Sequence, residues 1–298
     1  MAGEDKVHFF DITSINEGPL KAWSPNTFRT RLVLNFKRIP YTQSFLSYPD
    51  IAPTLQSLSV PPVTKQYVPY ALPAIIHKPS LSAKNPTHFA ISDSLQIALH
   101  LESAFPAPEY PSLFPTPASY PLAMAVLKLM TEIMAKQSPI GLPKVPAYLD
   151  PRGQEYFNRT RAQLFGKPLP ELAARDDELE RVWEAVTEIL STLGTMLRGE
   201  PGKQKTGPFF EGDKAGYADL LVAAFMVWYL RNDKNDWERI MSVGEGEFQR
   251  LWDACLPWLD GQGEEIDTIG HHVINGRRKG GYRYSLVCRV GQVASTWM

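Results

Sequence analysis

The stretch from residue 8 to residue 48 most narrowly limits what this chain can become. His8-Phe9-Phe10-Asp11-Ile12-Thr13 is strand-like, and Trp23-Ser24-Pro25-Asn26-Thr27 then opens a helix. Ser24 has the chemistry of an N-cap, and Pro25 suits the first helical position, where its missing N–H costs nothing. Apolar residues recur at Phe28, Leu32, Phe36 and Ile39, with Arg29, Arg31, Lys37 and Arg38 between them. That spacing predicts a helix with one buried face. Residues 41–48 read as a second strand. The sum is a βαβ unit with a serine at the positive end of its first helix, an end that favours an anion, a thiolate included. Ser24 therefore has two readings, a plain cap or an anion-facing hydroxyl, and on this stretch alone the cap is the commoner one.

The next segments extend the unit. Residues 49–55 start a short, irregular helix that Val60-Pro61-Pro62 ends, and a loop follows through residues 65–70. Ala71-Leu72-Pro73-Ala74-Ile75-Ile76-His77 is an apolar strand with proline at its start, where proline is tolerated and where an X-Pro bond is a candidate for the cis form. A cis bond there would turn the N–H and C=O of Leu72 outward as a peptide-binding edge. Residues 88–91 are a candidate last strand. Ser92-Asp93-Ser94 precedes a helical pattern at Leu95, Ala98, Leu99 and Leu101, with Asp93 or Ser94 as its cap. The N–H groups at such a cap suit a carboxylate. Each cap is ordinary alone; the order of capping serine, X-Pro strand and Asp-Ser helix start is what matters.

Composition changes after residue 104. Prolines at 106, 108, 111, 115, 117 and 121 read as an extended, stiff linker. Residues 122–136 are helical and carry Met124, Met130 and Met134, a pattern that usually packs a core and less often lines a site for apolar ligands. Residues 139–170 read as irregular, and 171–197 as a long helix with an acidic start. Residues 220–230 are apolar nearly all round, the signature of a buried central helix. Asp219 stands three residues after Gly216, at capping-box spacing, which gives it a structural role. Residues 248–259 form a further helix, after which periodicity ends. The expected organisation is residues 1–104, a linker at 105–121, an all-helical part at 122–265, and a basic tail at 266–298 whose structure the sequence does not indicate. From His271 to the end there are five Lys/Arg and no Asp or Glu.

The overall formal charge of −1 gives no general attraction for nucleic acid. The two cysteines, Cys255 and Cys288, have no metal-ligand spacing, so no metal is expected, and a reducing compartment is the simpler setting. No run is long enough to span a bilayer, so no membrane partner is expected. The first six residues lack the apolar core of a signal peptide, which makes the cytoplasm the expected location.

Taken together, residues 6 to 265 resemble a glutathione transferase: a thioredoxin-like N-terminal half, Leu72-Pro73, Asp93-Ser94, the proline-rich linker, and the buried helix opened by Gly216-Tyr217-Ala218-Asp219. Trp23-Ser24-Pro25-Asn26-Thr27-Phe28-Arg29-Thr30-Arg31 is similar to the start of serine-type enzymes related to bacterial β-etherases. Asp150-Pro151-Arg152-Gly153-Gln154-Glu155-Tyr156-Phe157-Asn158-Arg159-Thr160-Arg161 resembles the same segment of the fungal etherase-related class called FuA. Gly216 departs from the usual Ser/Thr cap, and residues 270–298 match nothing expected at the end of such an enzyme. The resemblance implies a thioredoxin-like domain followed by an all-helical one, glutathione as co-substrate, and a homodimer. It implies that Ser24 hydrogen-bonds the glutathione sulfur and that the Leu72 backbone, next to cis-Pro73, pairs with the cysteinyl part. It also implies that Asp93 and Ser94 hold the γ-glutamyl end and that Asn26 lies near the sulfur. The glycyl carboxylate needs a partner from the loop before Pro73, where Lys65 is the cation. The second substrate, a hydrophobic aromatic compound, would lie between the domains against the Met-containing helix and residues 148–165. The implied activity is attack of the thiolate on aromatic electrophiles, with ether cleavage and peroxide reduction as relatives of that chemistry. The alternative is a ligandin-like carrier of aromatics with little turnover. The absence of cysteine at position 24 argues against thiol-transferase chemistry, because no mixed disulfide can form there.

Overall fold

The computed structural model describes residues 7–63, 68–77, 90–203 and 205–266. The predicted βαβ unit is present as β1 (Val7–Ile12), α1 (Pro25–Phe36) and β2 (Tyr41–Leu46). Every residue of β1 is buried, so its outer faces are both covered, as expected for a central strand. β1 and β2 run parallel, with Ile12 opposite Leu46. Next come α2 (Tyr48–Ser57), β3 (Ala74–His77), β4 (Ala90–Ser92) and α3 (Ser94–Ala104). β3 is antiparallel to β1, pairing Phe10 with Ala74, and β4 is antiparallel to β3, pairing Ala74 with Ser92. The sheet order is β4-β3-β1-β2, with one further strand outside β2. This is the predicted small mixed sheet with helices, in thioredoxin-like order. His88 and Phe89, expected in the last strand, lie outside the described residues.

The helical layer follows. It comprises α4 (Ser119–Lys136), the single turn α5 (Ser138–Gly141), α6 (Pro151–Phe165), the single turn α7 (Leu169–Leu172), and α8 (Asp176–Arg198). After them come α9 (Tyr217–Asn232), α10 (Lys234–Met241) and α11 (Glu247–Leu259). α9 is buried from Tyr217 to Tyr229 and packs between α1 and α4, as its all-round apolar sequence predicts. Asp219 at its first turn accepts from the Gly216 N–H at 2.8 Å and the Phe210 N–H at 2.9 Å. It has the structural role that its spacing predicts.

The structure corrects three expectations. Residues 139–170 are not irregular: α6 fills half of that span. The reading failed because α6 is mostly polar and carries Gly153, yet its start repeats the chemistry of Ser24-Pro25. Asp150 is the N-cap, accepts from the Gly153 N–H at 3.1 Å, and is followed by Pro151. α8 begins at Asp176 rather than 171, because Leu169–Leu172 closes a separate turn. And the chain does not stay helical to residue 265. β5 (Glu264–Glu265) returns to the sheet and pairs parallel with Thr42 and Gln43 of β2. The bonds that bring it there come from α1 and β2. Asn35 donates to the carbonyls of Trp258 and Gly261, Arg31 to Gln262, and Ser44 to the Ile266 carbonyl.

The proline-rich segment after α3 is non-helical as far as Ala118, but residues 119–121 of the expected linker already belong to α4, and the segment is tied down. The fully buried Lys37 ammonium donates to Glu102 at 2.6 Å and to the Pro111 carbonyl at 2.8 Å. Glu102 also accepts from Ser112 Oγ and from the Leu113 N–H.

Candidate functional site

The pairing registers place the functional candidates at one end of the sheet. β1 and β2 end there, since Ile12 is opposite Leu46. β3 starts there and β4 ends there, since Phe10 faces Ala74 and Ala74 faces Ser92. Ser24 follows β1, Tyr48 follows β2, Leu72 precedes β3, and Asp93 with Ser94 follows β4. α1 and α3 begin at that end and pack against each other, so their N–H-rich termini share one side of the molecule. Open sheets with helices bind ligands outside the carboxyl ends of their parallel strands, and this is that end.

Ser24 occupies the N-cap position of α1, with extended backbone, and is nearly buried at 4% exposure. Its side chain makes no capping hydrogen bond. The cap position is instead served by its carbonyl, which accepts from the Phe28 N–H at 2.9 Å and from Thr27 Oγ1 at 3.1 Å. Of the two readings that the sequence left open for Ser24, the hydroxyl cap is not made: with Pro25 and Thr27 beside it, the helix starts without the serine oxygen. Asn26, one residue into the helix, is exposed.

Leu72 is buried and its bond to Pro73 is cis. Among the described residues, neither its N–H nor its C=O takes part in a backbone hydrogen bond. Asp93 is the N-cap of α3; its Oδ1 accepts from the N–H groups of Leu95 and Gln96, both at 3.0 Å. Its φ of 81° lies in a region that non-glycine residues rarely occupy, a strain that clusters at ligand-holding positions. Oδ2 is not used in the cap. Ser94 is buried at the first turn of α3 near Tyr217, whose phenol burial pushes up to about 12. Arg29 of α1 lies close enough to Tyr217 and Asp93 for both to favour its charge against the burial that disfavours it. Lys65 lies outside the described residues.

An aromatic wall is built on Trp23, the residue before Ser24. Trp23 packs edge-on to Tyr148 at 4.8 Å and lies 6.5 Å from Tyr48. Tyr48 stacks on Tyr156 at 6.3 Å and leans on Phe157 at 5.2 Å. The Trp228 indole donates to the Tyr148 hydroxyl at 3.3 Å. Burial raises the phenol of Tyr48 to about 12, with the neighbouring Arg161 guanidinium opposing the shift. The expected segment 148–165 thus contributes three rings. The Met-containing helix contributes less directly: Met130 is fully buried in the core, while Met124 and Met134 are half-buried. Sequence reasoning missed Tyr48, Trp228 and Arg161. Tyr48 had a usable signal, because it directly follows a strand of the βαβ unit and so had to stand at the same sheet end as Ser24.

Among the described residues no group of three His, Cys, Asp or Glu is placed to hold a metal ion, and no helix is long and apolar enough to cross a membrane. Cys255 is buried, and burial raises its thiol well above the usual range, which makes it unreactive as a nucleophile.

Comparison with known proteins places this geometry. Residues 122–258 match the family described as glutathione S-transferase, C-terminal domain. The glutathione S-transferase-like protein ustS of Aspergillus flavus is 49% identical over 264 residues, which is 88% of this chain and 94% of that protein. A glutathione S-transferase of Ceriporiopsis subvermispora, crystallised in complex with glutathione, superposes with a TM-score of 0.73 at 31% identity, covering 85% of this chain and 97% of that one. Glutathione transferase FuA3 of Phanerochaete chrysosporium superposes with a TM-score of 0.72 at 30% identity, covering 86% and 98%.

Proposed function

The chain belongs to the glutathione S-transferase family, and we propose that it acts as a serine-type member: Ser24 stabilises the glutathione thiolate for attack on hydrophobic aromatic electrophiles. The observation that carries this reading is the idle hydroxyl. Ser24 Oγ stands at a helix N-terminus, almost buried, and is spent on neither the cap nor any described neighbour. A hydroxyl that only caps would be hydrogen-bonded to its own helix.

The chemistry follows from that placement. A free thiol has a pKa of about 8.5, so only a few per cent is thiolate at neutral pH. Each unit of depression needs about 1.4 kcal/mol of preferential thiolate stabilisation. One O–H donor together with the positive end of α1 supplies roughly two units. The remaining candidates hold the tripeptide in place. The N–H and C=O of Leu72, unpaired among the described residues, offer a strand-like partner to the cysteinyl backbone. Asp93 Oδ2, left over from the cap, and Ser94 face the γ-glutamyl end. The thiolate then forms a C–S bond to the electrophilic carbon, and the leaving group departs with its electron pair. An aryl ether is such a leaving system, which keeps ether cleavage within the proposed range. The aromatic wall from Trp23 to Phe157 receives the second substrate.

The test is steady-state turnover of glutathione with a reactive aryl halide. Ser24→Ala is expected to lower kcat by about ten- to a hundredfold, the effect of losing one to two units of thiolate stabilisation, with little loss of stability. A variant that unfolds while activity per folded molecule persists would make Ser24 only a structural residue. A wild-type protein that binds aromatic probes saturably and consumes no glutathione would be a carrier.

A further inference from the structure

We infer that the second substrate carries an anionic group on its aromatic body, a carboxylate or similar oxyanion, and that Arg161 receives it. The inference rests on the placement of that substrate proposed above and deepens it.

Arg161 lies on α6, half-buried, with its guanidinium 4.3 Å from the Phe157 ring centroid and 5.5 Å from that of Tyr48. Tyr48 in turn adjoins Trp23, the residue before Ser24. One cation therefore stands two ring contacts from the proposed sulfur position, on the wall that would hold an aromatic substrate. The two rings flank the guanidinium within cation–π distance, and its fork of N–H donors suits a planar, two-oxygen acceptor.

No acidic group among the described residues pairs with this charge. The hydrogen bond that Arg161 makes among the described residues goes to Thr160 Oγ1 at 3.0 Å, and it forms no salt bridge there. Of the carboxylates on α6 and the elements packed against it, Glu155 and Glu171 are exposed and form no ion pair with Arg161, and Asp50 and Asp150 are already engaged. Asp50 of α2 holds Arg152 through two bonds of 2.7 and 3.0 Å. Asp150 accepts from Ser47 and from the Gly153 N–H. Arg159, one turn-face away and exposed, lies 5.5 Å from the Tyr156 ring and adds positive charge to the same helix. Lys144, by contrast, is neutralised by Asp233 and Asp236. A half-buried cation against two rings, with no counter-ion among the described residues, is what an aromatic acid requires and what a neutral aromatic leaves unused. A charge contact in such surroundings is screened less than one on the open surface.

The experiment compares chlorodinitrobenzoate with its methyl ester. In both, the glutathione thiolate bonds to the chlorine-bearing carbon, chloride leaves with the bonding pair, and the thiol proton passes to solvent. The acid-to-ester ratio of kcat/KM is divided by the same ratio for the uncatalysed reaction. The quotient is expected to exceed one in the wild type and to fall about tenfold in Arg161→Gln, with Arg161→Lys retaining part of the preference. Tryptophan-fluorescence quenching by each compound, without glutathione, gives the same preference as a ratio of dissociation constants. That readout survives even if the protein turns nothing over, so a failure of the transferase reading is told apart from a failure of this one. If Arg161→Gln does not fold, the wild type decides: rising salt should weaken binding of the acid and leave the ester unchanged. Equal handling of acid and ester by the wild type, or a preference untouched in a folded Arg161→Gln, overturns the inference.

Discussion

Replacing Asp11 with asparagine removes one charge from a pair that water does not reach. Arg31 Nη2 donates to Asp11 Oδ2 at 2.7 Å, and both side chains are fully buried. Arg31 Nη1 donates to Gln43 at 2.8 Å, to Gln262 at 2.7 Å and to the Tyr41 hydroxyl at 3.2 Å, all neutral acceptors. Asp11 Oδ1 accepts from the Ile12 N–H at 2.7 Å. Asn keeps the volume but leaves the guanidinium uncompensated, and its amide NH2 must face one of two donors. Removing one partner of a buried ion pair costs about 3–5 kcal/mol. Arg231 pushes the cost toward the upper end. Burial and the nearby Arg31 already lower its pKa to about 10, and Asp11 is one of the two charges that oppose this. For a chain of this size each kcal/mol moves Tm by about 2–4 °C, so Asp11→Asn should lower Tm by roughly 6–20 °C. Calorimetry or circular dichroism at neutral pH measures it. The double variant Asp11→Leu with Arg31→Met removes both charges and should lie closer to the wild type than Asp11→Asn alone. A loss below about 1 kcal/mol, or a double variant no better than the single one, would refute this reasoning.

Two further predictions concern buried polar groups. His8 is 4% exposed, with Nδ1 bonded to Thr42 Oγ1 at 2.8 Å and Nε2 lacking a partner among the described residues, and burial lowers its pKa from 6.5 to about 4. Its contribution is complete above the unfolded pKa of 6.5 and is lost as pH falls toward 4. Urea unfolding at a series of pH values should show up to about 3 kcal/mol of that loss in the wild type; a His8→Asn slope equal to the wild type over this window would count against it. Asp219 serves two buried N–H groups at the start of α9, and burial, opposed by those same bonds, raises its pKa to about 7. Asp219→Ala orphans both donors and should cost roughly 2–4 kcal/mol; a smaller loss in chemical denaturation would mean that solvent replaces the carboxylate.

The sequence was legible where a local rule and the tertiary packing agree. Ser24-Pro25 begins α1 because proline at the first position suits a helix start whatever lies around it, and α9 is buried because it has no polar face to expose. The strands of the βαβ unit could be read because β1 is largely apolar and β2, rich in aromatic and β-branched residues, follows α1 after a short break. The losses have equally physical causes. α6 is polar on most of its surface, so its periodicity is faint, although its Asp150-Pro151 start carries the same cap signal as Ser24-Pro25. β5 is a pair of glutamates with no strand character of its own; its pairing depends on Asn35, Arg31 and Ser44, more than two hundred residues earlier in the chain. The site divides the same way. The positions of Ser24, Leu72, Asp93 and Ser94 at one sheet end follow from element order. The idle state of the Ser24 hydroxyl needs the folded coordinates, and so does the convergence of Tyr48, Tyr148, Phe157 and Arg161 on the Trp23 side, which depends on how α2 and α6 meet.

Ultraviolet titration of the thiolate in glutathione bound to the protein, for the wild type and Ser24→Ala side by side, tests the central claim most directly. The account predicts a thiol pKa about two units below the free value of ~8.5 in the wild type and a rise toward that value in the variant. Bound glutathione that ionises like the free thiol in the wild type, or an equal depression in Ser24→Ala, would contradict it.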